Sequence, residues 1–267
     1  MALQDFYKGK AALITGASSG IGKDLAILWA SWGCKVALAA RRKELLEETA
    51  AECRAFGVDA IAVSADVADR AAMERIRDEL LARWGFVDLI IGNAGVGGLN
   101  PGPQFDLDIH RRTVEINLVG LANTVVPFIP SMVERRTGVL VGVSSLAAFR
   151  GLPKAGSYSS TKAAQGRLME SLRVDLRPYG VHAMCIHPGF VETPMTDHDD
   201  FRMPFMVPVR ESSILISKAI ARKKRVYLYP WQMRILTGIN RMLPCWLYDR
   251  LVPKLSGQKS DIKPKLL

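Results

Sequence analysis

TGASSGIG, residues 15–22, follows directly on the apolar run AALIT (11–15) and opens a segment with helical spacing. Gly16, Gly20 and Gly22 make a G-x-x-x-G-x-G pattern. Glycines let the backbone turn sharply and approach a pyrophosphate, and the following helix offers N–H groups and a partial positive charge at its start. Such a turn is weak evidence alone. Placed after the first strand of a strand–helix series, it marks a nucleotide site, with Ser18, Ser19 and Ile21 completing the candidate loop.

Outward from this turn, short apolar runs alternate with longer helical patterns. KVALAA (35–40), DAIAVSA (59–65), VDLIIG (87–92), GVLVGVS (138–144), VHAMCIH (181–187) and the shorter RVYLY (225–229) read as strands. Segments 43–56, 69–84 and 109–134 carry apolar residues at helical spacing. Strand–helix alternation implies right-handed crossovers and a parallel sheet covered on both faces, which suits near-continuous apolar strands. The expected fold is α/β: a doubly wound parallel sheet of about seven strands, the Rossmann fold, with a C-terminal helical extension. The expected division is 1–230 for the nucleotide-binding and catalytic domain and 231–267 for the extension.

At 267 residues, 49% hydrophobic and 23% charged, the chain can bury a substantial core. Cys34, Cys53, Cys185 and Cys245 are scattered, without C-x-x-C or metal spacing, which favours unpaired thiols in a reducing, cytoplasmic setting. The start, MALQDFYKGKAALITG, lacks the long apolar run of a signal peptide, and no stretch has ~20 uninterrupted apolar residues. From Ser217 onward twelve Lys and Arg face only Asp249 and Asp261, which accounts for the whole net charge of +10.

The run after 35–40 ends AARRK, with Arg41 and Arg42 and no acid. An acid there holds a ribose 2′-hydroxyl, whereas arginine accommodates a 2′-phosphate; helix starts ordinarily favour acids over cations. NADP(H) is therefore the expected cofactor, with Asp66 and Val67 placed to meet the adenine. Further on, GSYSSTKAA (156–164) sets Tyr158 and Lys162 four apart, on one helix face. A nearby ammonium favours a phenolate and draws a phenol toward working pH. The spacing alone is more often a packed ring and a solvated amine, so the other motifs decide.

Those motifs resemble the short-chain dehydrogenases/reductases across about residues 8 to 230. They are TGASSGIG, GNAG (92–95), the Asn of EINLVG (Asn117), the serine pair 144–145, Tyr158-x-x-x-Lys162 and HPGFVET (187–193). The resemblance implies Tyr158 as general acid or base, and Lys162 as the cation that tunes it and bonds the nicotinamide ribose. It implies Ser145 as the polariser of the substrate carbonyl, with Ser144 the competing candidate, and Asn117 as holder of a proton-relaying water. Asn93, Ala94 and Gly95 would line the adenosine side; Pro188, Gly189, Val191 and Thr193 would orient the carboxamide. Gly92, where the family often has Asn, is expected to matter for sheet packing. His182 and His187 read as structural, His110 and His198 as surface residues, and no cluster suggests a metal. The serines lack a G-x-S-x-G elbow, which speaks against a hydrolase.

Many family members end in a strand and a glycine-rich tail that builds a tetramer, and the resemblance implies a homodimer or larger homo-oligomer. Here the ending is replaced by a segment with apolar residues at Trp231, Ile235, Leu236, Ile239, Met242, Leu243, Trp246, Leu247 and Leu251, broken at Pro244. Arg234, Arg241, Arg250 and Lys254 flank it. Two readings stay open: peripheral contact of 231–254 with a membrane surface, or a lid or dimer element. The ending resembles that of members acting on lipophilic carbonyls. Met195, Phe201, Met203, Phe205 and Met206 in the substrate loop, about 194–212, suit an apolar substrate. The function expected is NADP(H)-dependent interconversion of a carbonyl and a secondary alcohol on a small apolar molecule, with no nucleic-acid partner. The alternatives are a sugar or 3-oxoacyl-thioester reductase, or a non-catalytic NADP(H) sensor.

Overall fold

A computed structural model of the chain describes residues 2–196, 203–255 and 265–266. Seven parallel strands form the central sheet: β1 (Ala11–Thr15), β2 (Lys35–Ala40), β3 (Ala60–Ser64), β4 (Leu89–Gly92), β6 (Val139–Val143), β7 (His182–Pro188) and β8 (Val226–Tyr229). Their order is β3-β2-β1-β4-β6-β7-β8. Gly98–Leu99 is β5, and it pairs antiparallel with Lys265–Leu266, β9. The helices are α1 (Leu3–Tyr7), α2 (Gly20–Ser31), α3 (Lys43–Arg54), α4 (Arg70–Trp84), α5 (Leu107–Val114), α6 (Gly120–Val125), α7 (Ile129–Glu134), α8 (Gly156–Leu176), α9 (Val209–Ala221), α10 (Trp231–Met242) and α11 (Cys245–Leu255). The expected doubly wound sheet is present, with strand ends displaced by a residue or two.

Alternation along each strand divides the core in two. Ala12 and Ile14 of β1, with Val36 and Leu38 of β2, join Leu25 and Trp29 of α2, Leu46 of α3 and Ile216 of α9. The intervening Leu13 and Ala37 face Met73, Ile76 and Leu80 of α4, Leu121 of α6 and Met169 of α8. Both sheet faces are thus covered, which is why the strands are apolar almost throughout. The run Leu107–Glu134 has the length and apolarity to cross a membrane. Here it is a core element, contributing Ile116, Leu121, Val125, Phe128 and Met132 to the second cluster. It opens on Asp106, whose carboxylate accepts from the N–H groups of Asp108 and Ile109. Glu115–Val119 within it is a turn of π-helix containing Asn117.

The strand order reverses between β1 and β4, so successive connections leave on opposite faces and open a crevice at the strands' C-terminal ends. β8 then leads into α10 and α11, which break at Leu243–Pro244, and α10 borders that crevice through Met233, Thr237 and Asn240. Cys34, Cys53 and Cys185 are buried and Cys245 is exposed, all unpaired. Burial pushes the thiols of Cys53 and Cys185 up to about 12, so both stay protonated at neutral pH.

Gly92 has the packing role expected of it, because a Cβ there would lie 2.3 Å from Leu121 Cδ1. Gly92→Ala should lower stability by about 1–3 kcal/mol through overpacking. In a Leu121→Ala background the same change should cost clearly less, a coupling that urea unfolding of the four-member cycle measures.

Candidate functional site

The ends of β1, β2, β3, β4, β6 and β7 open into one cavity of about 700 Å³. Among its lining residues are Gly16, Ser18, Ser19, Gly20, Ile21, Arg41, Arg42, Asp66, Val67, Asn93, Ala94 and Gly95. Ser144, Ser145, Tyr158, Lys162, Pro188, Gly189, Val191 and Thr193 line the remainder of that same edge. Residues separated by up to 177 positions in the chain thus meet because parallel strands end on one side.

The glycine turn is built for close approach. Gly16 and Gly20 have φ of +67° and +56°, and a Cβ on Gly16 would sit 2.8 Å from Ala94 Cα. Gly22 serves packing, since its Cβ would come 2.5 Å from Gly16 O. Asn93 braces this turn: its Nδ2 donates to Thr15 O at 3.0 Å, and Thr15 Oγ1 accepts from the N–H groups of Asn93 and Ala94.

Arg42 caps the start of α3 without a side-chain cap bond of its own. Its guanidinium reaches back across the crevice instead, with Nη2 3.0 Å from Ser18 Oγ and 2.6 Å from Ser19 Oγ. A cation thus closes over the glycine turn. Asp66 accepts from Ala68 N–H at 3.0 Å and from Arg112 Nη2 at 2.5 Å. Burial raises this carboxyl, but those two bonds outweigh it and hold it below the usual range. Arg112 is a neighbour the sequence reading missed, because it lies 46 residues away on α5 and belongs to no motif.

The other half of the site is organised around Lys162. The residue is 4% exposed, and its ammonium donates to Val143 O at 3.0 Å. Nζ lies 5.5 Å from the centroid of the Tyr158 ring, the neighbour one helical turn earlier on α8. Burial lowers the Lys162 pKa to about 8. The serines separate cleanly. Ser144 Oγ is buried and donates to Lys162 O at 2.7 Å, whereas Ser145 is half-buried and Oγ accepts from Ala147 N–H at the cavity wall.

Asn117 ties the loop after β4 to α8. Its Oδ1 accepts from Val96 N–H at 2.8 Å, and its Nδ2 donates to Val96 O and to Thr161 Oγ1. A Cβ on Gly95 would sit 3.2 Å from Asn117 Oδ1 and 3.4 Å from Lys162 Nζ. Gln165, fully buried one turn past Lys162, donates from Nε2 to Asn117 O at 2.5 Å. His187 Nδ1 donates to Ser145 O at 3.0 Å, and burial lowers its pKa to about 4, so the ring is neutral. The structural reading of His187 therefore acquires a purpose: the ring fixes the backbone that carries Ser145. His182 is likewise structural, its Nε2 bonded to Lys224 O. His110 is held by Ser157 Oγ at 3.1 Å rather than standing free on the surface.

The substrate end differs from the expectation. Of the loop residues, Met195 lines the cavity, while Phe205 and Met206 point outward at 48% and 39% exposure. Phe201 and His198 lie outside the described residues. Apolar lining comes from Leu99, Leu146, Phe149, Phe190 and, on α10, Met233 beside Thr237 and Asn240. Of the extension, Met233, Thr237 and Asn240 on α10 border the cavity, while most of the apolar stripe read from the sequence faces away from it. Among the described residues no His, Cys, Asp or Glu group could hold a metal.

The family model of the short chain dehydrogenases matches residues 10–202. An uncharacterized oxidoreductase of Myxococcus xanthus is 42% identical over 92% of this chain and 97% of its own length. The 3-oxoacyl-[acyl-carrier-protein] reductase of Staphylococcus aureus is 33% identical over 70% of this chain and 77% of its own. A solved short-chain type dehydrogenase/reductase from Mycobacterium marinum superposes with a TM-score of 0.79 at 23% identity, covering 91% of this chain and all of that one.

The buried ammonium sets a pH signature. Lys162 has a folded pKa of about 8, below the ~10.4 of an unfolded lysine. Between those values the unfolded chain binds more protons, so stability rises with pH there; below about 8 the full penalty applies. In urea unfolding, wild type should gain on the order of 2–3 kcal/mol relative to Lys162→Met between pH 7 and pH 10. A difference that stays flat would show that the ammonium is not desolvated.

Proposed function

This chain belongs to the short-chain dehydrogenase family, and from that premise we propose that it is an NADP(H)-dependent oxidoreductase interconverting a carbonyl and a secondary alcohol of an apolar molecule. The observation that carries the cofactor reading is Arg42, whose guanidinium lies against Ser18 and Ser19 of the glycine turn. A 2′-phosphate on the adenosine ribose would meet Arg42 and the neighbouring Arg41, and planar guanidinium matches phosphate geometry. The one carboxylate among the described lining residues, Asp66, is one strand further out and paired with Arg112. Gly16 and Gly95 both line the cavity, and the bare backbone of the glycine turn fits close approach of a pyrophosphate.

NADPH, when bound, supplies the hydride. The remaining work falls to side chains. Ser145 donates to the substrate carbonyl oxygen and polarises it. Tyr158 gives its phenolic proton to that oxygen as the alcohol forms, and takes it back in oxidation. Lys162, an ammonium below about pH 8, favours the resulting phenolate and would bond the nicotinamide ribose. Asn117 keeps Val96 and α8 in register, and would hold the water that relays protons through Lys162. Pro188, Gly189, Val191 and Thr193 line the cavity where they would hold the carboxamide. On this reading 1–230 carry cofactor and chemistry, and Met233, Thr237 and Asn240 of the extension border the substrate end.

The lining of Leu99, Leu146, Phe149, Phe190, Met195 and Met233 favours an apolar substrate over a sugar. A sensor without turnover would have no need of Ser145, Tyr158 and Lys162 together on one cavity wall.

On a carbonyl panel followed by NADPH absorbance, Tyr158→Phe should lower kcat at least about a hundredfold with little change in NADPH affinity. Ser145→Ala should lower kcat, while Ser144→Ala should chiefly lower stability, by about 1 kcal/mol. An active Tyr158→Phe enzyme would remove the assignment. Arg41→Ala/Arg42→Ala should weaken NADPH binding at least about tenfold, with NADH nearly unaffected. A wild type that prefers NADH in kcat/KM would overturn the cofactor reading.

A further inference from the structure

Helix α10 has two faces. Met233, Thr237 and Asn240 border the cavity, and on the opposite side Trp231, Ile235, Ile239 and Met242 recur every three or four residues. That second stripe is open to solvent, with Trp231 67% and Met242 85% exposed. Trp246 of α11 extends it, also largely exposed. The pair is nonetheless fixed to the body. Tyr248 is buried and donates through its hydroxyl to Gly151 O, the Arg150 guanidinium stacks 4.2 Å from the Tyr248 ring, and Arg241 sits 5.3 Å from the Phe149 ring. Docking to its own domain thus leaves the stripe uncovered, where monomeric surfaces seldom keep large apolar side chains together.

Charge selects the occupant. α10 carries Arg234 and Arg241 and no acid, α11 adds Arg250 against Asp249, and the turn before β8 carries Arg222, Lys223, Lys224 and Arg225. A second copy on this face would oppose like charges, whereas an anionic headgroup layer complements them. Tryptophan with arginine flanks suits the boundary between acyl chains and headgroups. We propose that the α10–α11 pair seats on the surface of an anionic lipid bilayer and admits substrate from it to the cavity behind α10. Seating rests on the stripe and its charge alone; admission of substrate rests also on the apolar-substrate reading above.

The test is sedimentation of the full chain with phosphatidylcholine vesicles, with and without phosphatidylserine. Wild type should pellet with phosphatidylserine-containing vesicles at low salt, bind phosphatidylcholine at least tenfold less, and release as salt rises. Each guanidinium near such a surface contributes about fivefold in partitioning, and screening removes it within a Debye length. Ile239→Glu/Met242→Glu should lose at least tenfold in partitioning, and Arg234→Glu/Arg250→Glu should lose binding to anionic vesicles. Both variants should keep the wild-type melting curve and turnover of a water-soluble carbonyl, since neither touches the cavity. On a long-chain carbonyl dissolved in anionic vesicles, kcat/KM should fall for the variants alone.

Wild type that stays in the supernatant at low salt, or variants that bind undiminished, would overturn seating. A wild-type dimer in ultracentrifugation that Ile239→Glu/Met242→Glu dissociates would put a second copy on this face instead. Equal turnover of the vesicle-borne carbonyl by wild type and variants would overturn substrate admission. Failure to turn over any carbonyl would strike the proposed activity and leave the sedimentation result standing.

Discussion

Lys162 brings an ammonium into the interior at the edge of an apolar sheet, and its surroundings supply no carboxylate among the described residues. Burial of a cation is tolerated only when its hydrogen bonds are met. Val143 O, the last carbonyl of β6, meets one of them. Placing that carbonyl requires β6 in register between β4 and β7, and placing Nζ requires α8 at a fixed height along the sheet. Ser144, donating to Lys162 O, and Asn117, donating to Thr161, set that height from two sides. The π-helical turn around Asn117 is the local cost of turning that side chain toward α8.

The same demand explains neighbours with no chemistry of their own. His187, neutral and packed 4.7 Å from Phe149, holds the carbonyl of Ser145 so that its hydroxyl faces the cavity. Gln165 occupies the main-chain carbonyl of Asn117 from within the same helix that carries Tyr158 and Lys162. Gly92 keeps β4 close to Leu121, behind the loop that Asn117 grips. The cavity wall is therefore stiff where proton transfer would occur. It is lined by adaptable Met195 and Met233 where a substrate would vary.

At the opposite end, the glycine turn and Arg42 form a second unit. Asn93 and Thr15 fix the turn, and Arg42 spans from the end of β2 to its two serines. A basic residue at a helix start costs electrostatic energy against the helix dipole. Two serine acceptors offset part of that cost, and they hold the guanidinium where an anion would enter.

The amino-acid sequence by itself determined the strand runs, the glycine turn after β1, the helical register of Tyr158 and Lys162, and the basic end of β2. These are local properties: hydrophobic period, turn conformation and i, i+4 spacing are carried by neighbouring residues. Tertiary structure alone decided which serine hydroxyl is committed to the backbone, because that of Ser144 is claimed by Lys162 O, eighteen residues away. It also decided that Arg112 pairs with Asp66, that Arg42 reaches the glycine turn, and that Phe205 and Met206 turn away from the site. The tail shows the limit most plainly. Its period announced an amphipathic helix, but either face could have turned inward, and the choice fell to the anchoring of Tyr248 on Gly151 and Arg241 on Phe149. A helical pattern specifies that two faces differ; only the surface a helix meets determines which one is covered.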